Sequence, residues 1–484
     1  MPQARSTAVA GNGTPERIDA SRLRYWALVA FLALVFAMGG GARSDITSLI
    51  VLRPLSVLML GFAAALAGRA NLKRLGVPFY LLLALAALIA IQLIPLPPDI
   101  WRSLPGRALV ARLTDDAGLA GTWRPLALSP SAAVNALLSL FVPMAGFMLW
   151  SIQPDLPVRR LAWALIIVGV INAMVGLLQI IGSPYGPLYL YSITNNGVAV
   201  GLFANRNHNA IFLASLIPLL GYVAMQARPG RNGDRKDVAI AGGALAAALF
   251  FIPLILVSGS RAGTVLGFAA VLLTGALLWI EQWLGARGTG RAAGFVARYA
   301  GVAFVLAVSG MALITYALSR SLAFERFLNG SIEGNMRAQV LPQLWNLAQT
   351  YFPAGSGFGS FYLVYEVSEP LGLLQENYLN QAHNDPLQAV IEGGLPALLI
   401  MLALAAWFLV SGWKAARRFA QRQVRGAPPG IALFAWASLG ILFAGSALDY
   451  PLRTPSLMLT AALLCCLIEA GLRADLSRAN ARRG

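Results

Sequence analysis

The chain has 484 residues, of which 58% are hydrophobic and 12% charged, with a formal net charge of +17 and a pI of about 10.6. The charged share is about half that of a soluble domain, and the apolar residues come in runs of about 18 to 22, enough helix to cross some 30 Å of hydrocarbon. A soluble enzyme is thereby excluded, and two adjacent cysteines in the last apolar run, Cys465 and Cys466, exclude a disulfide framework or a metal cluster.

In chain order, residues 1–23 open with "MPQARSTAVAGNGTPERIDA", polar and small, and read as a disordered cytoplasmic tail with no cleavable leader. Twelve spans are expected, near 24–42, 48–67, 76–94, 131–150, 160–181, 207–225, 238–257, 262–280, 299–318, 394–413, 430–448 and 456–472, followed by a cytoplasmic tail over 473–484. They are helices, because lipid offers backbone polar groups no partner outside the chain, and the strands of a barrel would be shorter and alternating.

Three intervening segments are long enough to fold. Residues 95–130 ("PLPPDIWRSLPGRALVARLTDDAGLAGTWRPLALSP") are expected at the membrane interface, 182–206 lead into the sixth span, and 319–393 form the largest loop. Within that loop Met336, Val340, Leu341, Leu344, Trp345 and Leu347 have amphipathic helical spacing, ahead of the glycine-rich "FPAGSGFGSF". Those glycines resemble a phosphate-cradling loop only weakly, since no strand precedes them and no lysine-bearing helix follows. The fold class is an all-α polytopic membrane protein of about 12 transmembrane helices with a large periplasmic loop containing amphipathic helices.

Orientation follows from charge. With the N-terminus inside, 25 of the 37 Lys and Arg and 8 of the 20 Asp and Glu are cytoplasmic, so the whole excess of positive charge lies on that side. Topology therefore accounts for the basic pI, and nucleic acid is excluded as a partner. The conspicuous polar residues all fall on the opposite face. Arg206 and His208 lie in "ANRNHNA" at the start of span six, Arg261 in "VSGSRAG", Arg337 and His383 in the large loop, and Asp449 and Arg453 in "LDYPLRTP".

Plain roles exist for several of these residues. Arg206 can snorkel to headgroups, the Asn/His run can cap its helix, and Asp449 and Arg453 can pair across a short turn. Arg261 is harder to dismiss, sitting in a tight turn near membrane depth where an unpaired arginine costs a few kcal/mol. Arginines gathered at one boundary suggest an anionic ligand, because guanidinium presents a fork of donors that matches phosphate. No His, Cys or carboxylate spacing predicts a metal site.

The ordered set "GLFANRNHNAIFLA", "SGSRAG", "NMRAQVLPQLWNLAQTYFPAGSGFGSF" and "AHNDPLQAVIEGGLPALL" resembles the O-antigen ligase and polymerase family over roughly 160–460, whereas residues 24–159 are similar mainly in hydropathy. The resemblance implies a membrane glycosyltransferase of GT-C-like architecture in the bacterial inner membrane, with its active face periplasmic and no metal or other cofactor. It also implies a domain over 160–472 that includes the loop 319–393. The implied donor is a glycan on undecaprenyl diphosphate, and the implied acceptor is lipid A-core or another lipid-linked glycan. The family pattern falls on Arg261 and Arg337 as diphosphate-binding residues and on His383 as the catalytic residue. Arg206, His208, Asp449 and Arg453 are carried as lining candidates.

The chemistry agrees with that pattern. Breaking a sugar–diphosphate bond builds charge that Arg261 and Arg337 can stabilise, and a neutral imidazole can take the acceptor hydroxyl's proton. "DPLQ" predicts a helix start with Asp385 as N-cap and Gln388 completing a capping box. That leaves His383 ahead of the helix's positive end, where imidazolium is disfavoured. His383 serves either as base or only to orient the sugar, with Glu366, Glu369, Glu376 and Glu392 as other candidate bases nearby. A transporter or flippase, or a non-catalytic assembly partner for envelope polysaccharide, are the competing readings. The first is disfavoured by the absence of related halves and of midplane polar motifs.

Overall fold

The computed structural model describes residues 20–154, 156–227, 235–289, 332–374, 379–424 and 430–480, with a few positions between 302 and 313. Residues 1–19, most of the expected ninth span, Glu376 and the Arg337 side chain lie outside the described residues. Among the described residues, ten helices are long and apolar enough to cross a membrane, and Gly76–Gln92, with 17 residues, is a shorter apolar helix in the third expected position. The protein is an all-α multi-pass membrane protein.

At the centre stands Arg206–Gln226, whose most apolar window is 94% buried. A helix closed off from lipid on all sides must pack against others all round, and this one touches Val158–Ile181, Arg235–Val257, Arg261–Thr289 and Ile431–Leu448. Gly263 is what lets the Arg261 helix approach it, since a Cβ there would lie 2.3 Å from that of Ala210. Buried amides anchor the preceding loop to this core. Gln179 Oε1 accepts from Val200 N at 3.0 Å and Gly201 N at 2.7 Å, and Asn172 Oδ1 accepts from Leu202 N at 2.8 Å.

The tenth expected span begins at a break in a longer helix. Helix Asp385–Val424 is broken at Gly394, with φ 58° and ψ −146°, so that Asp385 to Gly393 form a separate segment at the loop end of the bundle. Leu395 N donates to Pro353 O at 2.8 Å, and any Cβ on Gly394 would sit 2.0 Å from that carbonyl oxygen. The break therefore needs glycine.

The glycine-rich turn after helix Ile332–Tyr351 packs against this broken segment. Ser356 N and Gly357 N donate to Ile391 O and Glu392 O at 2.9 and 2.8 Å, satisfying carbonyls that the interrupted helix leaves open. A small core of Val340, Leu344, Leu347, Phe361, Tyr365 and Ile391 joins the loop helix to it. Leu341 and Trp345 of the same helix are exposed, as apolar residues of a helix that lies on a membrane surface would be.

Residues 95–130 do more than lie along an interface. They form a short antiparallel ladder, Pro95–Leu96 with Arg124–Pro125, and two short helices, Pro98–Ser103 and Ala108–Asp116, and Leu128 N donates to Ser356 O of the large loop at 2.9 Å. Buried Arg107 donates to Leu126 O at 2.6 Å and Gly355 O at 3.2 Å, and burial pushes its guanidinium down to about 10. Gln92 Oε1 accepts from Phe358 N at 3.0 Å while its Nε2 donates to Glu392 O at 3.1 Å. The N-terminal third, which has the weakest motifs, is therefore the bed on which the loop rests.

Candidate functional site

His383 sits in a short strap, residues 379–384, between the loop and the Asp385 helix. Its φ is +51°, a conformation in which non-glycine residues are uncommon. Local hydrogen bonds impose the bend: Gln388 Oε1 accepts from Ala382 N at 2.8 Å, and Asn384 Oδ1 accepts from Leu387 N at 3.0 Å. Asn384 is thus the N-cap, one residue before the Asp385 that the "DPLQ" reading selects. Asn384 satisfies the free backbone N–H and leaves the Asp385 carboxylate for another partner.

That partner is Arg453. Its Nε donates to Asp385 Oδ1 at 2.9 Å, and its two terminal nitrogens donate to Glu392 Oε2 at 3.2 and 3.3 Å. Burial disfavours the cation here, and Glu392 and Asp385 outweigh that, holding Arg453 protonated beyond its usual range. The expected turn pair of Asp449 with Arg453 does not form. The helix break brings two other carboxylates to Arg453, and Asp449 turns the opposite way. Glu392 is fully buried and also accepts from Phe361 N at 3.3 Å and Gln388 Nε2 at 3.1 Å, which makes it an anchor for the loop.

Asp449, at the end of helix Ile431–Leu448, has no exposed surface. Its Oδ1 lies 3.0 Å from His383 Nδ1 and accepts from Tyr450 N at 2.9 Å, and its Oδ2 accepts from Asn207 Nδ2 at 2.7 Å. An ionised carboxylate can only accept, so Nδ1 carries the proton in the neutral ring and Nε2 offers its lone pair. The His383 side chain keeps 21% of its surface exposed. The arrangement is that of a histidine oriented by a buried acid, with its second nitrogen available to a ligand.

Tyr450 joins the two histidines of the chain. Its ring stacks edge-on with His383 at 4.8 Å and with His208 at 4.9 Å. His208 is 1% exposed, and its Nδ1 lies 2.9 Å from Thr454 Oγ1. Arg206 opens the same helix behind Asn205, whose side chain caps it by accepting from Asn207 N at 2.8 Å, as expected of an Asn run. Arg261 opens the neighbouring helix behind Ser260, whose Oγ accepts from Gly263 N at 3.0 Å. Arg337 lies in the loop helix Ile332–Tyr351. His383, Asp449, His208 and Arg453 thus form one hydrogen-bonded and stacked assembly, with Arg206 at its edge and Arg261 opening the adjoining helix.

Beside this assembly lies a cavity of about 1080 Å³. Asn380, Gln381 and Asp385, which flank His383 in sequence, line it together with Glu392, Arg453 and Tyr362, whereas the Arg261 and His383 side chains do not. Further along, the lining is apolar, with Leu85, Ile89, Leu398, Met401 and Phe443. Along helix Asp385–Val424 the lining passes from Asp385, Gln388 and Glu392 to Leu398, Met401 and Leu402, and this change from polar to apolar suits an amphipathic ligand. The sequence offered Asn207 and Gln388 only as parts of helix caps, and it did not single out Tyr450, although that residue adjoins Asp449.

Residues 244–402 match the family model described as O-Antigen ligase. The match takes in Arg261, Arg337 and His383, and ends before Asp449 and Arg453. No curated protein matches the chain.

Proposed function

From the match of residues 244–402 to the O-antigen ligase family model, we propose that the protein is a glycosyltransferase of the bacterial inner membrane. It moves a glycan from undecaprenyl diphosphate to an acceptor hydroxyl at the periplasmic face, without a metal. The observation that carries this reading is His383, held in a left-handed conformation with Nδ1 on buried Asp449 beside a cavity that is polar at one end and apolar at the other.

In this reading Nε2 of His383 takes the proton as the acceptor oxygen attacks the anomeric carbon. The bond from that carbon to the diphosphate oxygen breaks, and its electron pair stays on the leaving diphosphate. Arg261 and Arg337 hold the charge that develops there. Asp449 positions the imidazole and stabilises the imidazolium once it forms. Arg453 lines the cavity and fixes the Asp385 helix, and with it the strap that carries His383.

The test is transfer by purified protein in detergent from a lipid-linked glycan to an added acceptor. Wild type is expected to transfer and His383→Ala to lose activity. A well-folded His383→Ala protein that transfers normally overturns the reading. Lipid A-core and a second lipid-linked glycan are the two acceptors to compare, since one marks a ligase and the other a polymerase.

A further inference from the structure

Three arginines line the cavity, and two of them are neutralised within it. Arg43 donates to both carboxylate oxygens of Asp45, at 3.0 and 2.9 Å, and Arg453 is paired with Asp385 and Glu392. The third, Arg53, lies one turn into the apolar helix Leu49–Leu66. It hydrogen-bonds only the neutral side-chain oxygen of Asn135, no carboxylate among the described residues pairs with it, and its Nε is buried without an acceptor. An arginine at membrane depth costs a few kcal/mol unless something pairs with it. Arg53 is half-buried, its Nε is shut off from solvent, and a terminal nitrogen is tied to Asn135 on the facing helix Pro130–Ser139, so the guanidinium is held at the cavity wall.

The apolar part of the same cavity descends along the span that follows Gly394. Leu398, Met401, Leu402 and Ala405 line it, a stretch of roughly 10 Å at the helical rise. Leu402 is also 56% exposed on the flank of the bundle, so the cavity opens sideways where lipid would lie. We infer that Arg53 is the headgroup-binding residue of a lipid phosphate site, with Asn135 orienting the guanidinium and the Leu398–Ala405 wall taking the hydrocarbon chain. The inference takes its substrate class from the function proposed above but does not depend on the transfer step. Arg53 and Asn135 both lie outside residues 244–402.

Full-length protein in detergent, measured by native mass spectrometry with geranylgeranyl diphosphate, tests this. Arg53→Gln is expected to weaken binding about tenfold or more, with Arg53→Lys in between, while geranylgeraniol, which lacks the phosphates, binds both variants within about twofold of wild type. A tenfold change is about 1.4 kcal/mol. Undiminished diphosphate binding by Arg53→Gln overturns the inference, as does equal loss of geranylgeraniol, which marks a structural role. Repeating the titration with lipid A separates the two sources of lipid phosphate, since dependence on Arg53 identifies which one occupies the site. Arg53-independent binding in a protein that transfers glycan overturns this inference alone. Arg53-dependent binding in wild type that transfers nothing overturns the proposed reaction and leaves the site standing.

Discussion

His383 and His208 stack edge-on against the same tyrosine, at 4.8 and 4.9 Å, and differ in the partner of Nδ1 and in exposure. His208 lies within the first turn of the most buried helix, and its Nδ1 meets the hydroxyl of Thr454, a neutral partner in a closed environment. His383 lies in a strap between two helices, and its Nδ1 meets a buried carboxylate while part of its ring stays exposed. Residue type and neighbourhood are shared, so the partner of Nδ1 and the access to Nε2 divide the two roles. A hydroxyl partner fixes a ring in a core. A carboxylate both fixes the ring and compensates a positive charge on it, which is the property a proton acceptor needs.

Substitution at the two rings is the strongest way to break that comparison. His383→Ala is expected to lower the transfer rate by about 10²- to 10⁴-fold with little change in thermal stability, because general-base catalysis contributes on that order and the ring is partly exposed. His208→Ala should reverse the pattern, lowering the melting temperature while the surviving folded protein still transfers. Activity and melting measured on the same preparations separate the two. If His208→Ala destroys activity without loss of stability, the division drawn at Tyr450 is wrong.

Next in size is Arg453→Gln. Removing the cation leaves Asp385 and Glu392 facing each other with no compensating charge, and breaking a buried pair in this way costs about 3 kcal/mol or more. One-fifth of the Arg453 side chain is exposed, which moderates the cost. The melting temperature should therefore fall clearly, and activity should fall with the loop rather than independently of it.

Asp449→Asn sharpens the carboxylate side of the comparison. The amide is nearly isosteric and keeps one acceptor oxygen, so the fold is expected to survive. The imidazolium loses its counter-charge, and transfer should drop by about 10²-fold. The pH profile discriminates further, since a purely structural Asp449 would leave it unmoved and a positioning Asp449 would shift its acidic limb.

Much of this was legible in the sequence because lipid leaves so few choices. Run length and apolar content located eleven of the twelve expected helices, and most of the remaining one, the ninth, lies outside the described residues. The polar residues of the site were legible as individuals, because a histidine or arginine at a span end stands out against leucine and alanine. Their pairing was not. Asp449 and Arg453 are four residues apart and looked like partners. A break at Gly394, imposed by the Pro353 carbonyl more than forty residues upstream, decides that Arg453 meets Asp385 and Glu392 instead. The supporting role of residues 95–130 was hidden for the same reason. Buried Arg107 works through backbone carbonyls at Leu126 and Gly355, which no residue pattern reports.

The smallest predicted effect concerns the helix cap, where sequence and structure differ by one residue. Two positions competed for the cap, Asn384 and Asp385, and both are residue types that cap helices well. The geometry gives the bond to Asn384 and the ion pair to Asp385. Asn384→Ala should therefore cost about 1 kcal/mol, the usual loss for a side-chain cap. It should also loosen the strap, so that transfer falls a few-fold through misplacement of His383. Asn384→Asp keeps an accepting oxygen at the same N–H and should restore both. Asp385→Asn should leave the cap intact while weakening the link to Arg453, so its loss of stability should vanish in an Arg453→Gln background, whereas that of Asn384→Ala should persist. Thermal melts of the three single variants, Arg453→Gln included, and the two double variants suffice. If the Asp385 effect survives removal of Arg453 and the Asn384 effect does not, the cap belongs to Asp385 after all, and His383 is held by a different hinge.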